Sequence, residues 1–549
     1  MSLEALASHP SHGGNRYWVG TVDGASFSDD ANWSRWPGSS ALSWIAPNSR
    51  KQAIFTIHSL VNAKLFSNAV VKKLTTWNDY SGTIDLNGKK LKSNRGILVK
   101  NGTILVPSGS VLENRKITTL QNNGTLDATN GNLLFHHNFL LKAGGTLNAP
   151  DGDNSRFKLK GGFNIYSGST FNHNNGTVSL IPRWNSAINI QDGPGSGRNF
   201  YNLFKSGRKE AVLYSDIEVL NDLTIVGSRG GITAKTYEIK VGGDWFAAAS
   251  TSFSRNTGKV TFNGSSAQTI KSAASFYDLQ ISSSDVSLLK NTTVTGTLTI
   301  DSGATLDLNG FNLTAATLVN NGNLQLKGSE TVSITTMDTD SGTVTYDGTG
   351  TYTQLAAGDN YFNLTLNSSS GSITLDANLD VNGSLNITDG TLDVSTDNRS
   401  INVAGDWSNS DAFISRSGTV TFDGGTSSVI VTGGTGDSND FYNITLGGTD
   451  SAAQSTDAIA IDNDFEITSS GTWYTNCLAM TVSGDTSTGS GSITTTLAPS
   501  VSEFVPANSD TGVAVSSNIE LKFNTAIRNT NDTAISSSDL DTLITLKTT

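Results

Sequence analysis

Residues 297–308, Thr-Leu-Thr-Ile-Asp-Ser-Gly-Ala-Thr-Leu-Asp-Leu, and the pair Asn309-Gly310 that follows contain the pattern that decides the fold. Polar and apolar residues alternate strictly in two short runs, 297–300 and 305–308. Strict alternation predicts a strand with one buried face, and the Ser-Gly and Asn-Gly pairs predict tight turns. Similar runs recur along most of the chain, and helical periodicity is almost absent. The sequence therefore predicts an all-β protein.

Three short motifs recur four times in the same order. The first, a Gly-x-Val strand, begins at Gly176, Gly258, Gly342 and Gly418, at spacings of 82, 84 and 76 residues. The second, an aromatic pair followed by Asn or Asp, occupies 200–203, 276–279, 361–364 and 441–444. The third, an apolar-polar-Ile triplet, occupies 223–225, 298–300, 385–387 and 465–467. Roughly 450 residues of one pattern exceed a single β-sandwich, whereas a solenoid grows by adding coils.

We therefore predict a right-handed parallel β-helix, or β-solenoid, built from about four units of about 80 residues. Residues 1–15 are assigned to a tail or processing remnant, 16–55 to a Trp-rich N-terminal cap, 56–498 to the solenoid, and 499–549 to a partial Ig-like β-sandwich. A cap is expected because the first coil has an open core and exposed strand edges. The alternative for its tryptophans, Trp18, Trp33, Trp36 and Trp44, is a carbohydrate-stacking platform.

The charges are few and unevenly distributed. Charged residues make up 15% of the chain, against about 25% in typical globular proteins. Residues 1–280 contain 29 basic and 18 acidic residues, whereas 281–549 contain 7 and 30. This asymmetry predicts head-to-tail attraction between copies.

Cys477 is the single cysteine, which excludes an internal disulfide. No run of the sequence reaches the ~18 apolar residues of a membrane span.

Several segments resemble a known class of proteins. Trp18-Val19-Gly20, then 27–34 and Pro37-Gly38, is similar to the opening of many large bacterial surface and autotransporter-like proteins. Gly-Asp-Trp at 243–245 and 405–407, each before a Gly-x-Val-Thr-Phe strand, resembles their β-solenoid repeats. Phe504-Val505-Pro506-Ala507-Asn508 with the run 519–523 resembles the start of a bacterial Ig-like domain. The resemblance implies export, a cell-surface or matrix location, and adhesive or scaffolding roles.

We found no catalytic constellation in the sequence. Parallel β-helices also include polysaccharide lyases and tailspike-like glycosidases, which need paired carboxylates or a basic residue beside bound acid groups. The carboxylates after residue 281 mostly stand next to Gly, Asn or Ser, which is typical of solvated turn residues and not of a catalytic pair. Only seven basic residues occur after residue 281, which disfavours a lyase base there. His136 and His137 are consecutive in a strand-like stretch, so they would point to opposite faces and not share a metal ion. We therefore predict no catalytic residue and no cofactor.

Two groups of residues are candidates for binding. Asp338, Asp340, Asp462 and Asp464 place oxygen ligands close together in predicted turns, which makes them secondary candidates for calcium. The candidates for polyanion binding or self-assembly are Lys72, Lys73, Lys89, Lys90, Lys92, Arg95, Arg156, Lys158 and Lys160. The expected partners are acidic surface polysaccharide or the acidic half of another copy, not nucleic acid, and an ordinary solubilising face is the alternative. The sequence thus favours a secreted, non-enzymatic stalk, filament or adhesin segment, with a carbohydrate-active β-helix as the alternative.

Overall fold

The computed structural model describes residues 15–20, 23–35, 46–56, 62–195, 197–226, 230–248, 253–424, 427–432, 440–447, 451–454, 457–468, 470–476, 478–494, 501–505 and 520–523. These residues form short β-strands joined by turns, with one 3-10 helix at Asp30–Asn32. The chain divides into two compact units, residues 1–342 and 343–549.

The first unit is a parallel β-solenoid, as the sequence predicts. Each coil contributes about three short strands, and each strand pairs in parallel with its counterpart one coil later. Partners are 18 residues apart at Gln268 and Val286 and 25 residues apart at Val178 and Leu203. Apolar side chains of alternate residues point inward, so Leu112, Leu133 and Phe157 stack on successive coils and are buried. Burial of these inward columns holds the coils together.

Each coil of the first unit has three faces, and we call the strands on each face, taken in chain order, a ladder. The first contains Asn15–Trp18, Gln52–Phe55, Lys73–Thr76, Ile97–Leu105, Thr118–Asp127, Phe139–Leu141, Phe163–Ile165, Ser186–Ile190, Ala211–Leu213, Ile232–Thr233, Phe253–Ser254, Ala274–Phe276 and Val332–Thr336. The second contains Ala25–Ser26, Ala63–Lys64, Thr83–Asp85, Thr146–Asn148, Thr170–Asn172, Ile217–Val219, Ile239–Val241, Lys259–Phe262, Asp278–Ile281, Thr292–Ile300 and Leu313–Asn320. The third contains Ala69–Val71, Lys90–Ser93, Val111–Asn114, Asn132–Phe135, Phe157–Leu159, Thr177–Leu180, Asn202–Lys205, Leu223–Ile225, Trp245–Ala247, Gln268–Ile270, Val286–Leu288, Thr305–Asp307 and Asn323–Leu326. From Ile217–Val219 onward, the second-ladder strands together with Ala274–Phe276 and Val332–Thr336 form a separate hydrogen-bonded sheet. The long strands run around a corner and contribute to two ladders.

The second unit repeats this parallel construction. One ladder contains Thr343–Tyr346, the first parts of Asn363–Thr374 and Leu385–Asp393, Trp407–Asn409, Ser427–Val431, Ser451–Gln454, Thr472–Tyr474 and Ser492–Thr494. The second parts of the two long strands pair instead with Thr351–Tyr352 and Ala412–Ile414. Another ladder contains Asn360–Tyr361, Leu379–Val381, Ile401–Val403, Thr419–Phe422, Asn443–Leu446, Phe465–Ile467 and Thr486–Ser487, and Ile459–Ile461 pairs with Met480–Val482. Val501–Val505 and Glu520–Phe523 pair antiparallel. The remainder of the predicted Ig-like sandwich lies outside the described residues.

Within each occurrence the three recurrent motifs lie on three successive coils of one ladder, which is the third ladder for the first occurrence and the second ladder for the second. Val178 of the first motif pairs with Leu203 of the second, which pairs with Leu223 of the third. The equivalent triplets are Val260, Leu279 and Leu298; Val344, Leu364 and Leu385; and Val420, Ile444 and Phe465. The motifs recur in the same order because each one supplies a strand on the same face of the next coil.

The Asn or Asp of the second motif caps the backbone of the following coil. The side-chain oxygen of Asn202 accepts the N–H of Asp222 at 3.1 Å, and Asp278 accepts that of Thr297 at 2.8 Å. In the third and fourth occurrences, the side-chain oxygens of Asn363 and Asn443 accept the N–H groups of Ser384 and Asp464. A turn breaks the strand ladder and leaves such N–H groups without a backbone acceptor, so a short side-chain acceptor is needed there.

Aromatic clusters fill the core where the Gly-Asp-Trp segments occur. The ring of Trp245 lies 5.0 Å from Phe253 and 5.3 Å from Phe276, between ring centroids. In the second unit Trp407 repeats this geometry with Phe413 at 4.9 Å and Phe441 at 5.2 Å. Both tryptophans are buried. Gly-Asp-Trp therefore marks a packing unit of the core.

The described part of the N-terminal cap is also built from buried aromatic rings. Trp18 and Trp33 have no exposed surface and pack against Phe27 and Phe55. The strand Trp33–Ser34 pairs antiparallel with Asn15–Trp18. This antiparallel pairing distinguishes the cap from the coils, whose strands pair in parallel. Because they are fully buried, Trp18 and Trp33 do not form a sugar-stacking platform. Trp36, Trp44, Cys477 and residues 1–14 lie outside the described residues.

One inward column of the third ladder contains a lysine. Lys205 stands between Leu180 and Ile225 on successive coils and is completely buried. Its Nζ donates to the carbonyl oxygens of Ser206 at 3.0 Å and Gly230 at 2.9 Å. The two carbonyls compensate part of the cost of burying this ammonium group.

Candidate functional site: a basic face around Glu113

A buried carboxylate surrounded by cations lies on the outer side of the third ladder. Glu113 pairs with Lys92 across adjacent coils, and Lys90 lies on the same strand as Lys92. The Glu113 carboxylate lies 2.6 Å from the Nζ of Lys90 and 3.4 Å from that of Lys92. Arg115, two residues beyond Glu113, places its Nε 3.8 Å from the same carboxylate. Glu113 is 5% exposed, so its charge is largely shielded from solvent.

The lysines hold Glu113 in its ionised form. Burial alone would raise the pKa of this carboxyl, but the hydrogen bonds and charges of Lys90 and Lys92 outweigh burial and lower the pKa below its ordinary value. One negative charge therefore lies permanently beneath a layer of positive charges.

The cations continue onto the next coils. Leu134 follows Glu113 in the same column, and Lys158 follows Leu134. Lys160 lies two residues further along, and the N–H of Arg183 donates to the carbonyl of Lys160 at 3.2 Å. We call Lys90, Lys92, Arg115, Lys158, Lys160 and Arg183 the basic face.

His136 lies inside the basic face. Its Nε2 is buried and lies 3.4 Å from the Glu113 carboxylate. Burial is the largest cause of the lowered pKa of His136, and the charges of Lys160, Arg183 and Arg115 lower this pKa further. The charge of Glu113 raises it, but by less than Lys160 lowers it. The pKa of Lys160 is also lowered, first by burial and then by Arg183. Both shifts have the sign expected where positive charges repel one another.

An aromatic pair borders the basic face. The ring of His137 lies 4.8 Å from that of Trp184, between centroids, and Trp184 directly follows Arg183. Trp184 is 37% exposed, unlike the buried tryptophans Trp18 and Trp33. His136 and His137 thus point to different neighbours, and they do not converge on one metal position.

The structure brings together only part of the basic residues that the sequence indicated. Lys90, Lys92, Lys158 and Lys160 belong to the basic face. Lys73 lies in the first ladder, and Arg156 is paired with Asp151 at 2.7 Å. The remaining candidates, Lys72, Lys89 and Arg95, lie at turns beside the third ladder.

The sequence did not indicate Glu113, Arg115, Arg183 or Trp184 as functional residues. It also did not indicate that His136 lies beside Glu113. The signal that identifies Glu113 is its offset of one coil length from Lys92, since residues 92 and 113 are direct partners. That signal becomes useful only when the length of each coil is known.

The calcium candidates take part in backbone capping. The Asp338 carboxylate accepts hydrogen bonds from the N–H groups of Asn320 at 2.7 Å and Asp340 at 2.9 Å. The carboxylate of Asp464 accepts the N–H of Asp485 at 2.8 Å. Among the described residues, no three His, Cys, Asp or Glu side chains are grouped so as to hold a metal ion. Asp338 and Asp464 therefore have structural roles at coil corners, as does Asn202.

One surface cleft contains carboxylates from adjacent coils, the arrangement expected of a glycosidase. It has a volume of about 260 Å³ and includes Asp222 and Asp244. Asp222 accepts the N–H of Asp244, and Asp244 accepts the N–H and hydroxyl of Thr269. Burial would raise the pKa of Asp244, but Lys271 and Thr269 lower it below its ordinary value. A general acid needs the opposite shift.

Comparison with known proteins does not identify a family. No protein-family model matches the chain, and no significant match was found among curated proteins or solved structures. No helix in the described part of the chain has the length and apolar character needed to cross a membrane.

Proposed function

We propose that this chain is a non-enzymatic structural segment of a large bacterial surface or matrix protein, serving as a stalk, filament or adhesin segment. The observation that carries the proposal is the repetition within each unit: every coil pairs with the next through parallel strands and shares its apolar columns. In such an array each coil depends only on its neighbours, so cohesion is distributed along the whole unit. This construction suits a segment that presents or connects other domains.

The sequence resemblance supports the same proposal. The Trp18-Val19-Gly20 opening and the Gly-Asp-Trp segments resemble those of large bacterial surface proteins. The single cysteine agrees with a chain whose stability comes from stacked coils without cross-links. Antibodies against the purified chain test the location. We expect them to label intact cells of the source organism, and labelling that requires permeabilised cells would refute a surface or matrix role.

Copies of the chain are proposed to associate head to tail. The support is the excess of basic residues in 1–280 and of acidic residues in 281–549. Attraction between exposed charges is screened as salt rises, with a Debye length of about 10 Å at 0.1 M. Sedimentation velocity at low and high salt tests this point. We expect larger species at low salt that dissociate at high salt, and a monomer at both concentrations would contradict head-to-tail assembly.

A carbohydrate-active β-helix, a polysaccharide lyase or tailspike-like glycosidase, is the second candidate, and Asp359 is the observation that favours it. Burial raises the pKa of this carboxyl, and the nearby charge of Asp376 raises it further, with Arg399 opposing. Its Oδ1 is buried without a hydrogen-bond partner. A carboxyl group with a raised pKa beside a second carboxyl group is typical of a general acid in glycoside hydrolysis.

An assay for cleavage separates the two candidates. The purified chain and its Asp359→Asn variant are incubated with acidic polysaccharides, and new reducing ends and unsaturated uronates are measured. The structural role predicts no release by either protein. Release by the wild-type chain that disappears in Asp359→Asn would establish the enzyme instead.

A further inference from the structure

We propose that the basic face binds an acidic polysaccharide, a chain of sugars bearing carboxylate or sulfate groups, along the third ladder of the first unit. The inference deepens the proposed adhesive role, on which it rests, by naming the ligand class and the residues that bind it. It concerns the face centred on Glu113 and bordered by Trp184.

The basic face has an excess of positive charge. Glu113 contacts Lys90, Lys92 and Arg115, and six cations against this one carboxylate leave a formal charge of +5 when His136 is neutral. Counting Asp153, on which the charge of Lys158 acts, leaves +4. Burial is the main cause of the lowered pKa of Lys160, and the charges of Arg183 and Lys158 lower it further, as repulsion between neighbouring cations does. An anion bound over them relieves this repulsion, which favours binding of a polyanion.

The arrangement of the cations fits a linear polymer. Arg115, Lys160 and Arg183 lie in the bends that follow third-ladder strands on three different coils, and the coil of His136 and His137 lies between Arg115 and Lys160. Adjacent coils are about 4.8 Å apart, the spacing of hydrogen-bonded strands. This rise is close to that of one sugar in an extended polysaccharide. Acidic sugars one unit apart can therefore meet Lys160 and Arg183 on adjacent coils, and a sugar two units before Lys160 can meet Arg115. Arg115 and Arg183 also offer the planar donor groups that pair with carboxylate and sulfate.

The aromatic border favours a sugar over the acidic half of a second copy. Trp184 is exposed beside Arg183 and is supported by the ring of His137. An indole face contacts the apolar C–H face of a pyranose ring while neighbouring cations hold its acidic group. Binding another copy through charge alone would not need this ring.

The test measures binding of the full-length chain to polygalacturonate, with chondroitin sulfate as the sulfated probe and dextran as the neutral one. The test variant is the triple substitution Lys92→Gln, Lys158→Gln and Lys160→Gln. Its matched control removes three exposed charges elsewhere, by Lys142→Gln, Arg208→Gln and Lys209→Gln. Biolayer interferometry at several salt concentrations gives the affinity and its salt dependence, and circular dichroism verifies that each variant is folded.

The expected result is binding to the acidic probes and not to dextran, weakened about tenfold or more by the test triple and less than about threefold by the control triple. The slope of log affinity against log salt should also fall, because fewer counterions are released for each lost contact. Trp184→Ala, an exposed position, should weaken binding about fivefold without loss of folding. Equal loss in both triples would overturn the proposal.

Two further outcomes are distinguishable. Absence of polysaccharide binding together with self-association that the test triple abolishes would assign the basic face to a second copy and refute the proposal. Absence of binding by a chain that labels the surface of intact cells would refute the ligand while leaving the proposed structural function in place.

Discussion

Replacing the buried lysine of the third ladder, Lys205→Met, should change stability in opposite directions at pH 7 and pH 10. Lys205 occupies a core position between Leu180 and Ile225, and its ammonium group donates to two backbone carbonyls. Burial lowers the pKa of Lys205 to about 8, with the charge of Glu210 opposing this shift. Methionine has a similar length and removes both the charge and the two hydrogen bonds.

The balance of these two effects depends on pH. The fall of the pKa from 10.5 to about 8 means that the buried ammonium costs about 3 kcal/mol at pH 7. Losing the donors to two carbonyls costs about 1 kcal/mol for each. We therefore expect Lys205→Met to stabilise the chain by about 1 kcal/mol at pH 7.

At higher pH the electrostatic cost disappears. Above about pH 8 the folded chain releases this proton while the unfolded chain keeps it up to about pH 10.5, so the wild-type chain becomes more stable as pH rises. At pH 10 most of the cost is gone and the lost hydrogen bonds dominate. Lys205→Met should then destabilise the chain by about 1 kcal/mol.

Urea unfolding followed by tryptophan fluorescence measures this difference. Trp245 is suited to the assay because it pairs with Leu223, on the coil adjacent to Lys205. Comparing variants at the same pH cancels the titration of all other groups. Lys209→Met, at an exposed position nearby, is the control and should change stability by less than about 0.5 kcal/mol at either pH. A constant difference between Lys205→Met and wild type at pH 7 and pH 10 would refute the reasoning.

Three further experiments test the packing and capping of the second unit. Trp407→Ala should cost about 3–5 kcal/mol in urea unfolding, because the indole fills a buried aromatic cluster. The hydroxyls of Tyr346 and Tyr361 lie 3.0 Å apart in the core, so a double-mutant cycle of the two Tyr→Phe substitutions should show a coupling of about 1 kcal/mol. Asn443→Leu should cost about 1–2 kcal/mol, because the N–H of Asp464 loses its acceptor.

Each of these has an outcome that contradicts it. A loss below about 1 kcal/mol in Trp407→Ala would show that the aromatic cluster contributes little. Strictly additive Tyr→Phe effects would mean that the hydroxyls do not interact. Asn443→Asp is the control for the capping prediction and should be nearly neutral, since Asp278 performs the same role in the first unit; equal losses in both Asn443 variants would contradict the capping role.

Much of the fold follows from local patterns in the chain. Alternation between buried and exposed residues in 297–300 and 305–308 matches the observed strands, and Asn309 and Gly310 both have positive φ, at 48° and 82°, as a tight turn of this kind requires. Repeated motifs indicated stacking because a solenoid puts equivalent residues on equivalent positions. The N-terminal tryptophans were predicted as a cap, and burial removes Trp18 and Trp33 from the alternative sugar platform, whereas Trp36 and Trp44 lie outside the described residues.

The basic face was only partly predictable. Spacing of two residues predicts that Arg156, Lys158 and Lys160 share one face of a strand, because strand side chains alternate between faces. The strand is Phe157–Leu159, so Arg156 and Lys160 flank it, and Arg156 pairs with Asp151. The contact of Glu113 with Lys90 and Lys92, and the approach of Arg183 to Lys160, join residues about one coil apart. Coil length varies along the chain, so sequence distance alone does not identify such neighbours.

The amino-acid sequence by itself determined the all-β class, the parallel stacking and the inward columns, because alternation, turn residues and repeats act over a few neighbouring positions. The tertiary structure decided which side chains meet across coils: it buried Glu113 under cations, placed Trp184 on His137 and enclosed Lys205 in the core. The physical reason is that lateral contacts depend on the register between coils, and each turn that is longer or shorter by a few residues changes that register.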